Sequence, residues 1–223
     1  MSSAPVFSSS AFEFLAELQA NNNREWFNAN KPRFQEAVER PFIALLEALS
    51  NRLVDAKRPI YGGKQTMFRM NRDTRFSQDK SPYKTNISGV LTPTGAKSVL
   101  TGLLYIQLGA EGGFSVSGYY NLSPKQLGPM RDAMVEQPDR FENVLKSLSD
   151  SGRAFDTSMS LTSMPKGFTE HADHPFADYI KLKSLMVREE LPRAAWLDGS
   201  CVDIVEAHAR DTMELLSFTQ PAR

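Results

Sequence analysis

The sequence predicts an α+β fold, in which a mainly antiparallel sheet of about four or more strands packs with N-terminal, central and C-terminal amphipathic helices. Two observations support this class. Apolar residues recur with a helical period before residue 54 and again after residue 121, as expected for helices with one buried face. Between these regions, short apolar segments alternate with connections rich in Gly, Pro and Thr, which is typical of strands.

Three N-terminal helices are predicted from their apolar faces and capping residues. Residues 11–18 carry their apolar side chains on one helical face. Asn22 and Glu25 have the spacing of a capping box, which predicts that a second helix begins there. Residues 34–53 have the most regular helical period of the chain. Pro41 lies inside this segment and has no amide hydrogen to donate, so we expect a kink or a break there.

Four strand candidates follow in the middle of the chain. They are apolar segments bounded by turn residues, and the short connections between the last three favour antiparallel pairing. The candidates are residues 66–70, 84–91, 98–108 and 113–120.

The second half of the chain is predicted to be mainly helical. Sequences typical of a helix start, with Pro in the first turn, occur at residues 122–124 and 137–139. Residues 157–168 are predicted to form a loop or a weak strand, and residues 176–185 a short helix. A final amphipathic helix is expected over residues 201–216.

We expect a flexible leader over residues 1–10 and a single α+β domain over residues 11–223. The N-terminus lacks the basic and apolar regions of a signal peptide, and no run approaches the roughly 18 apolar residues of a membrane helix. The chain has 223 residues, of which 41% are apolar and 23% charged, and this composition is sufficient for a large core.

Charge and cysteine content limit the partners of the protein. A formal net charge of zero and a pI near 6.8 do not give the broad positive field that favours binding to nucleic acid or anionic membranes. We therefore expect no membrane partner, and nucleic acid is the less favoured alternative. The single cysteine, Cys201, excludes an internal disulfide. A soluble, cytoplasmic protein is expected, and the sequence indicates neither a cofactor nor an oligomeric state.

The stretch from Lys64 to Lys84 concentrates positive charge in an otherwise neutral chain. It contains six cations and two anions, a net charge of about +4. Paired hydrogen bonds from guanidinium groups recognise phosphate and carboxylate, so this composition predicts a site for a small phosphorylated or carboxylated ligand. The candidate ligand-binding residues are Arg69, Asn71, Arg72, Asp73, Arg75, Asp79, Lys80, Tyr83 and Lys84.

Side-chain direction separates a ligand site from a structural role for these charges. If residues 66–70 form a strand, alternation places Phe68 and Met70 toward the core, and Arg69 and Asn71 on the opposite side. A ligand site is expected if that side opens into a pocket. A structural role is expected if the N-terminal helices cap it.

Two alternatives to small-ligand binding remain open. In the first, the same Arg and Asp side chains form a salt-bridge network that ties the sheet to the N-terminal helices, and the protein is an interaction or scaffold domain. In the second, Trp26, Phe76 and Tyr83 stack on the bases of RNA or single-stranded DNA while the cations contact phosphates.

The sequence assigns no catalytic residue and no metal site. Tyr83 and Lys84 are adjacent, so on a strand they would point to opposite faces, which weakens an acid–base pair between them. His171, Asp173 and His174 are of metal-ligating types, but a helix start is favoured in this segment. The motifs of phosphate-binding loops, zinc proteases and serine hydrolases do not occur in the chain. Whether the protein is an enzyme stays open.

Several segments of the chain point to one protein family. They are Phe12–Leu18, Asn22–Lys31, Phe68–Asn86, Pro165–Phe168 and His174-Pro175. Together they closely resemble the family known as domain of unknown function 2461, over residues 12–216. Met70 and Gln78 stand where Ile and Lys are more usual in the family pattern. The resemblance implies a soluble, mostly single-domain protein found widely in bacteria and in some fungi, and it implies no established activity or catalytic residue.

Overall fold

A computed structural model of the chain describes residues 6–97, 102–120 and 122–218. It confirms the α+β class, with a four-stranded antiparallel sheet in the order β1-β2-β3-β4. The strands are β1 (Ile87–Leu91), β2 (Leu103–Gly109), β3 (Gly112–Tyr119) and β4 (Leu185–Pro192).

Three of the four strand candidates are confirmed with shifted ends, since 84–91, 98–108 and 113–120 correspond to β1, β2 and β3. Residues 98–101 of the second candidate lie outside the described part of the chain. The prediction of a strand over 66–70 is wrong. A 3-10 turn occupies Lys64–Thr66, and a single bridge then joins Met67 to Gly89 of β1. A second single bridge joins Asn71 to Tyr83, which precedes β1.

The fourth strand, β4, was not predicted, because an inward-facing charge interrupts its apolar alternation. Val187 and Leu191 are buried on the same side of β4 as Glu189. The carboxylate of Glu189 pairs there with Arg153, whose side chain is only 13% exposed. An inward carboxylate needs such a partner, which the sequence of β4 alone does not show.

The turn between the first two helices corrects the capping prediction. Helix α1 covers Ser9–Ala20 and α2 covers Arg24–Ala29. Asn23, rather than Asn22, caps α2 by accepting a hydrogen bond of 2.9 Å from the amide of Trp26. Asn22 instead bonds both backbone groups of Tyr83, at 2.9 and 3.0 Å. The turn therefore ties the N-terminal helices to the charged stretch.

The long helix around Pro41 is continuous, but its hydrogen-bond pattern changes just before Pro41. It consists of α3 (Lys31–Phe34), a π-helical turn (Gln35–Glu39) and α4 (Arg40–Arg52). The amide of Arg40 donates to the carbonyl of Gln35, five residues earlier. Because Pro41 has no amide to donate, the pattern changes just before it, and a π turn takes the place of the predicted kink or break.

The helix starts predicted at residues 122–124 and 137–139 are confirmed. The segment 176–185 is helical only in its first half, and the final helix expected over 201–216 is divided at Thr212. A helix over 193–198 was not predicted. The loop prediction for 157–168 is confirmed, apart from a single bridge between Ser160 and Leu182. The helices are α5 (Pro124–Glu136), α6 (Pro138–Asp150), α7 (Ala177–Ile180), α8 (Arg193–Asp198), α9 (Cys201–Asp211) and α10 (Met213–Ser217).

One face of the sheet carries the core. Leu104, Ile106 and Leu108 of β2 are fully buried in a cluster with residues of α1, α4, α8 and α9. A second cluster joins β3 and β4 to α5, α6, α7 and α10. The intervening residues of β2, Leu103 and Tyr105, lie on the other face and are only partly buried. We call this second face the open face.

Ordered packing begins before α1. The ring of Phe7 is fully buried and contacts Trp196 edge-on, with ring centroids 5.1 Å apart, and its amide donates to the carbonyl of Trp196 at 3.1 Å. Residues 1–5 lie outside the described chain, and the division into a leader and one domain stays a prediction.

Candidate functional site

The charged stretch folds as a narrow excursion from the edge of β1. Backbone hydrogen bonds join its two arms, from Phe68 to Ser88, from Lys84 to Met70 and from Arg72 to Pro82, at 2.8 to 2.9 Å. This pairing leaves residues 72–82 as a projecting loop, which we call the 72–82 loop. The candidate ligand-binding residues are thereby divided between the loop and its base.

Arg72 lies at the centre of a hydrogen-bond network inside the 72–82 loop. Its guanidinium donates to Asp79, Ser81 and Ser77. Hydrogen bonds from Ser81, and then from Arg72, hold the pKa of Asp79 well below its usual range. Lys80 donates to the carbonyl of Thr74 at 3.0 Å. Most of the hydrogen-bonding capacity of Arg72 and Asp79 is used within the loop, so this part of the motif supports the loop structure.

The tip of the loop carries a second, more exposed pair. Arg75 donates two hydrogen bonds to Asp73, at 3.0 and 2.7 Å, and these bonds lower the pKa of Asp73. Next to them Phe76 is 95% exposed, with the guanidinium of Arg75 5.7 Å from its ring centre. These charges pair within the loop and not with acids of the N-terminal helices.

We expect Arg72→Ala to open the 72–82 loop while the rest of the fold persists. Trypsin should then cleave after Arg75 and Lys80 several-fold faster than in the wild type, because local opening exposes these bonds. Mass spectrometry of the fragments measures the rate, and the melting temperature reports the global fold. Asp73→Ala removes only the exposed pair at the tip and should not accelerate cleavage. Equal rates for Arg72→Ala and the wild type would contradict the supporting role of Arg72.

At the base of the excursion a cleft of about 460 Å³ separates it from α2, α3 and the π turn. We call it the cationic cleft. Arg69 and Asn71 line it, together with the rings of Phe27, Phe34 and Tyr83. The Phe27 and Tyr83 rings are stacked with centroids 4.0 Å apart. The side of the segment that bears Arg69 and Asn71 therefore opens into a pocket, and the N-terminal helices form its opposite wall.

The cleft is rich in positive charge. Four cations and one acid line it, namely Lys31, Lys64, Arg69, Lys97 and Glu39. Within the described residues, none of these four cations makes an ion pair. The ammonium group of Lys97 donates to the carbonyl of Met67 at 2.8 Å. Like charges that outnumber nearby acids repel one another, and an anion placed among them relieves that repulsion.

Lys84 extends the positive field behind the cleft. Burial, followed by the charges of Arg69 and Lys97, lowers the pKa of Lys84. Its ammonium group lies 5.3 Å from the ring centre of Phe68. Phe68 was expected in the core, but its ring lines the open face of the sheet. The reason is that residues 66–70 do not form a regular strand, so strict alternation does not apply to them.

Three cleft residues were missed as site residues, namely Lys31, Lys64 and Lys97. Lys64 is the first residue of the charged stretch but is not one of the candidate ligand-binding residues. Lys31 follows α2 and Lys97 follows the turn after β1, so only the tertiary fold brings them to Arg69. The segment Asn22–Lys31, which resembles the family pattern, was the one sequence signal that drew attention to Lys31.

The three aromatic residues suggested for base stacking do not share a surface. Tyr83 is buried under Phe27, and the Trp26 ring packs on Phe14 with centroids 5.5 Å apart. Phe76 alone of the three is fully exposed, at the tip of the loop. The geometry therefore does not favour a stacking platform made of Trp26, Phe76 and Tyr83.

The histidine segment forms a turn. Nδ1 of His174 accepts a hydrogen bond of 3.1 Å from the amide of Phe176, at the start of α7. Over residues 6–97, 102–120 and 122–218, no group of three or more His, Cys, Asp or Glu side chains is placed to hold a metal ion. In the same ranges, no helix has both the length and the apolar character needed to span a membrane.

The family model described as conserved hypothetical protein, DUF2461, matches residues 10–218. No curated protein matches the chain.

Proposed function

This chain belongs to the DUF2461 family, and we propose that it binds a small phosphorylated or carboxylated ligand in the cationic cleft. The observation that carries the proposal is the set of four cations around one acid, without ion pairs among the described residues. The cleft volume of about 460 Å³ is in the range of small-molecule sites.

The residues of the cleft suggest how such a ligand is held. Arg69 offers a planar pair of donors to a phosphate or carboxylate, with Lys64 and Lys97 adding charge. The amide of Asn71 can donate to the same group. The stacked Phe27 and Tyr83 rings provide an apolar surface for the uncharged part of the ligand. The proposal assigns binding, and it assigns no catalytic residue.

The candidate residues take different roles in this proposal. Arg69, Asn71 and Tyr83 contact the ligand, and Lys84 contributes to the field behind them. The residues of the 72–82 loop hold the shape of the excursion, and they are Arg72, Asp73, Arg75, Asp79 and Lys80.

Binding is tested by thermal shift and calorimetry with orthophosphate, citrate and glucose 6-phosphate as probes. Wild type should respond to at least one probe, and the response should weaken as salt rises because the attraction is electrostatic. Arg69→Ala and Lys64→Ala should each weaken binding by about tenfold or more, which corresponds to about 1.4 kcal/mol for a lost charge-assisted hydrogen bond.

Lys80→Ala is the matched control, because Lys80 belongs to the same charged stretch but lies on the loop. It should leave the affinity unchanged. The proposal fails if wild type binds none of the probes, or if Lys80→Ala weakens binding as much as Arg69→Ala does.

A second candidate function is protein interaction through the 72–82 loop. The supporting observation is Phe76, which is 95% exposed on a loop held by the Arg72 network. Aromatic residues are enriched in protein interfaces. A photo-crosslinking residue at position 76 should capture a defined protein in cells, whereas the same residue at the exposed position of Arg24 should not. Equal labelling from both positions would contradict this role.

A further inference from the structure

A second concave surface lies on the open face of the sheet, on the far side of residues 67–70 from the cationic cleft. Its volume is about 480 Å³, and we call it the open-face groove. Its walls are mainly apolar side chains of β1, β2 and β3, and the principal ones are Phe68, Val90, Leu103, Tyr105, Phe114 and Val116.

The apolar character of the groove is unusual for a solvent-facing sheet surface. In an antiparallel sheet with one buried face, the other face normally carries polar residues. Here Leu103 and Tyr105 of β2 point away from the core yet are apolar, next to Phe114 and Val116 of β3. These side chains are only partly buried. A ligand with an apolar body would remove them from water.

Charge is distributed unevenly along the groove. At the β4 end, Arg188 covers the ring of Phe114 at 3.6 Å, and its charge is balanced by Glu190 at 2.5 Å and by Asp156 in the groove wall. This end therefore has little net positive charge to offer a ligand.

Two cations lie beside the opposite end of the groove, next to Phe68. The ammonium groups of Lys84 and Lys97 lie 5.3 and 5.9 Å from the ring centre of Phe68, and neither makes an ion pair with an acid in the described part of the chain. Lys84 is partly buried, and burial is the main cause of its lowered pKa. A carboxylate beside a partly desolvated ammonium gains more than one on the open surface.

We propose that the open-face groove binds an amphipathic monoanion, with a flat apolar body against Tyr105, Phe114 and Val116 and a carboxylate at Lys84. Charge complementarity fixes the direction, because the cations are uncompensated only at the Phe68 end. The volume suits a molecule of one or two fused rings. This site is separate from the cationic cleft, because none of the described residues lines both. Lys97 lines the cleft, and its ammonium group also lies 5.9 Å from the ring centre of Phe68 in the groove.

The test uses 2-naphthoate as the probe and isothermal titration as the readout. Wild type should bind 2-naphthoate at least about tenfold more tightly than 2-naphthamide, which has the same body without the charge. Acetate has the charge without the body and should give no measurable heat. Equal affinities for 2-naphthoate and 2-naphthamide, or no binding of 2-naphthoate, would overturn the proposal.

Two variants locate the probe in the groove. Lys84→Met keeps most of the stem length and removes the charge, so it should reduce the preference for 2-naphthoate over 2-naphthamide. Val116→Trp fills the groove and should abolish binding of both. Because Val116→Trp can also disturb the sheet, its melting curve is measured, and Lys84→Met is the deciding variant. Unchanged binding by Lys84→Met would contradict the assigned direction.

Control variants separate this site from its alternatives. Lys125→Met removes an exposed lysine of α5 and should leave naphthoate binding unchanged. Lys64→Ala alters only the cationic cleft and should also leave it unchanged, so the failure of one site is distinguishable from the failure of the other. Loss of naphthoate binding in Lys64→Ala would place the probe in the cleft and refute the groove site. A concentration-dependent dimer that excludes 2-naphthoate would identify a second copy of this chain as the occupant of the open-face groove. That outcome would also refute the proposed ligand site.

Discussion

Gly113→Ala is expected to lower the free energy of unfolding by about 3 kcal/mol, at the upper end of the range for overpacked sites. A Cβ atom at Gly113 would lie 2.0 Å from the backbone oxygen of Gln107 and 2.8 Å from the ring of Trp196. The Gln107 oxygen belongs to β2 beside β3 and cannot move without disturbing the strand pairing. Trp196 is fully buried, and its Nε1 donates to the carbonyl of Leu191 at 3.0 Å.

Gly109→Ala is the matched control for this substitution. Gly109 is the last residue of β2, and an added Cβ there would lie 3.5 Å from the backbone oxygen of Gly112, which is ordinary van der Waals contact. Alanine at this position should change the free energy of unfolding by no more than about 0.5 kcal/mol. Urea unfolding of the two variants measures both effects. If Gly113→Ala were as stable as the wild type, the close approach of β3 to β2 and α8 at this position would be wrong.

Acidification from about pH 6.5 to about pH 3 is expected to destabilise the protein through His208. The imidazole is fully buried, with Nδ1 2.7 Å from the hydroxyl of Ser115. Burial, followed by the charge of Arg153, lowers the pKa of His208 to about 3. In the unfolded chain a histidine titrates near 6.5. Between these values the unfolded state binds the extra proton, so the stability contributed by neutral His208 is complete above about pH 6.5 and is lost as the pH falls toward 3.

One proton sets the size of this effect, so the free energy of unfolding changes by at most about 1.4 kcal/mol per pH unit. His208→Gln removes the titrating group, so its stability should depend less steeply on pH than that of the wild type, even if it is less stable at pH 7. Ser115→Ala loses the hydrogen bond but keeps the imidazole, and it should retain the wild-type slope. Urea unfolding at pH 7, 6 and 5 measures the slopes. Equal slopes for wild type and His208→Gln would contradict a buried, neutral His208.

Prediction of the fold from the sequence succeeded where one side chain periodicity dominates. Residues 34–53 have a regular apolar stripe and form one long helix. The apolar segment 98–108, bounded by turn residues, corresponds to β2. It failed where charges interrupt or imitate a pattern. Glu189 faces inward in β4 because Arg153 neutralises it, and a contact between residues so distant in sequence leaves no local trace. Residues 66–70 resemble a strand, but Thr66 belongs to a 3-10 turn and the segment pairs with β1 only through the single bridge from Met67 to Gly89.

Prediction of the candidate site was limited by side-chain direction. The sequence indicated a concentration of cations, and Arg69 and Asn71 do line a cleft. It could not show that Arg72 bonds Asp79 within its own loop, because the same composition is compatible with either arrangement. It also could not place Lys31 and Lys97 beside Arg69, since that proximity depends on how α3 and the turn after β1 pack around the excursion.

The π turn before Pro41 has a consequence for how one helix contributes to two parts of the molecule. Gln35 and Glu39, at its two ends, both line the cationic cleft, while Phe42 and Leu46 of α4 are buried in the core. Successive residues of a regular α-helix are about 100° apart around the helix axis. The one surplus residue of the π turn therefore rotates the faces of α4 relative to those of α3 by about that angle. Removing the surplus residue would rotate Lys31 out of the cleft or Phe42 out of the core. The extra residue therefore allows a single helix to present charge to the cationic cleft from one half and apolar surface to the core from the other.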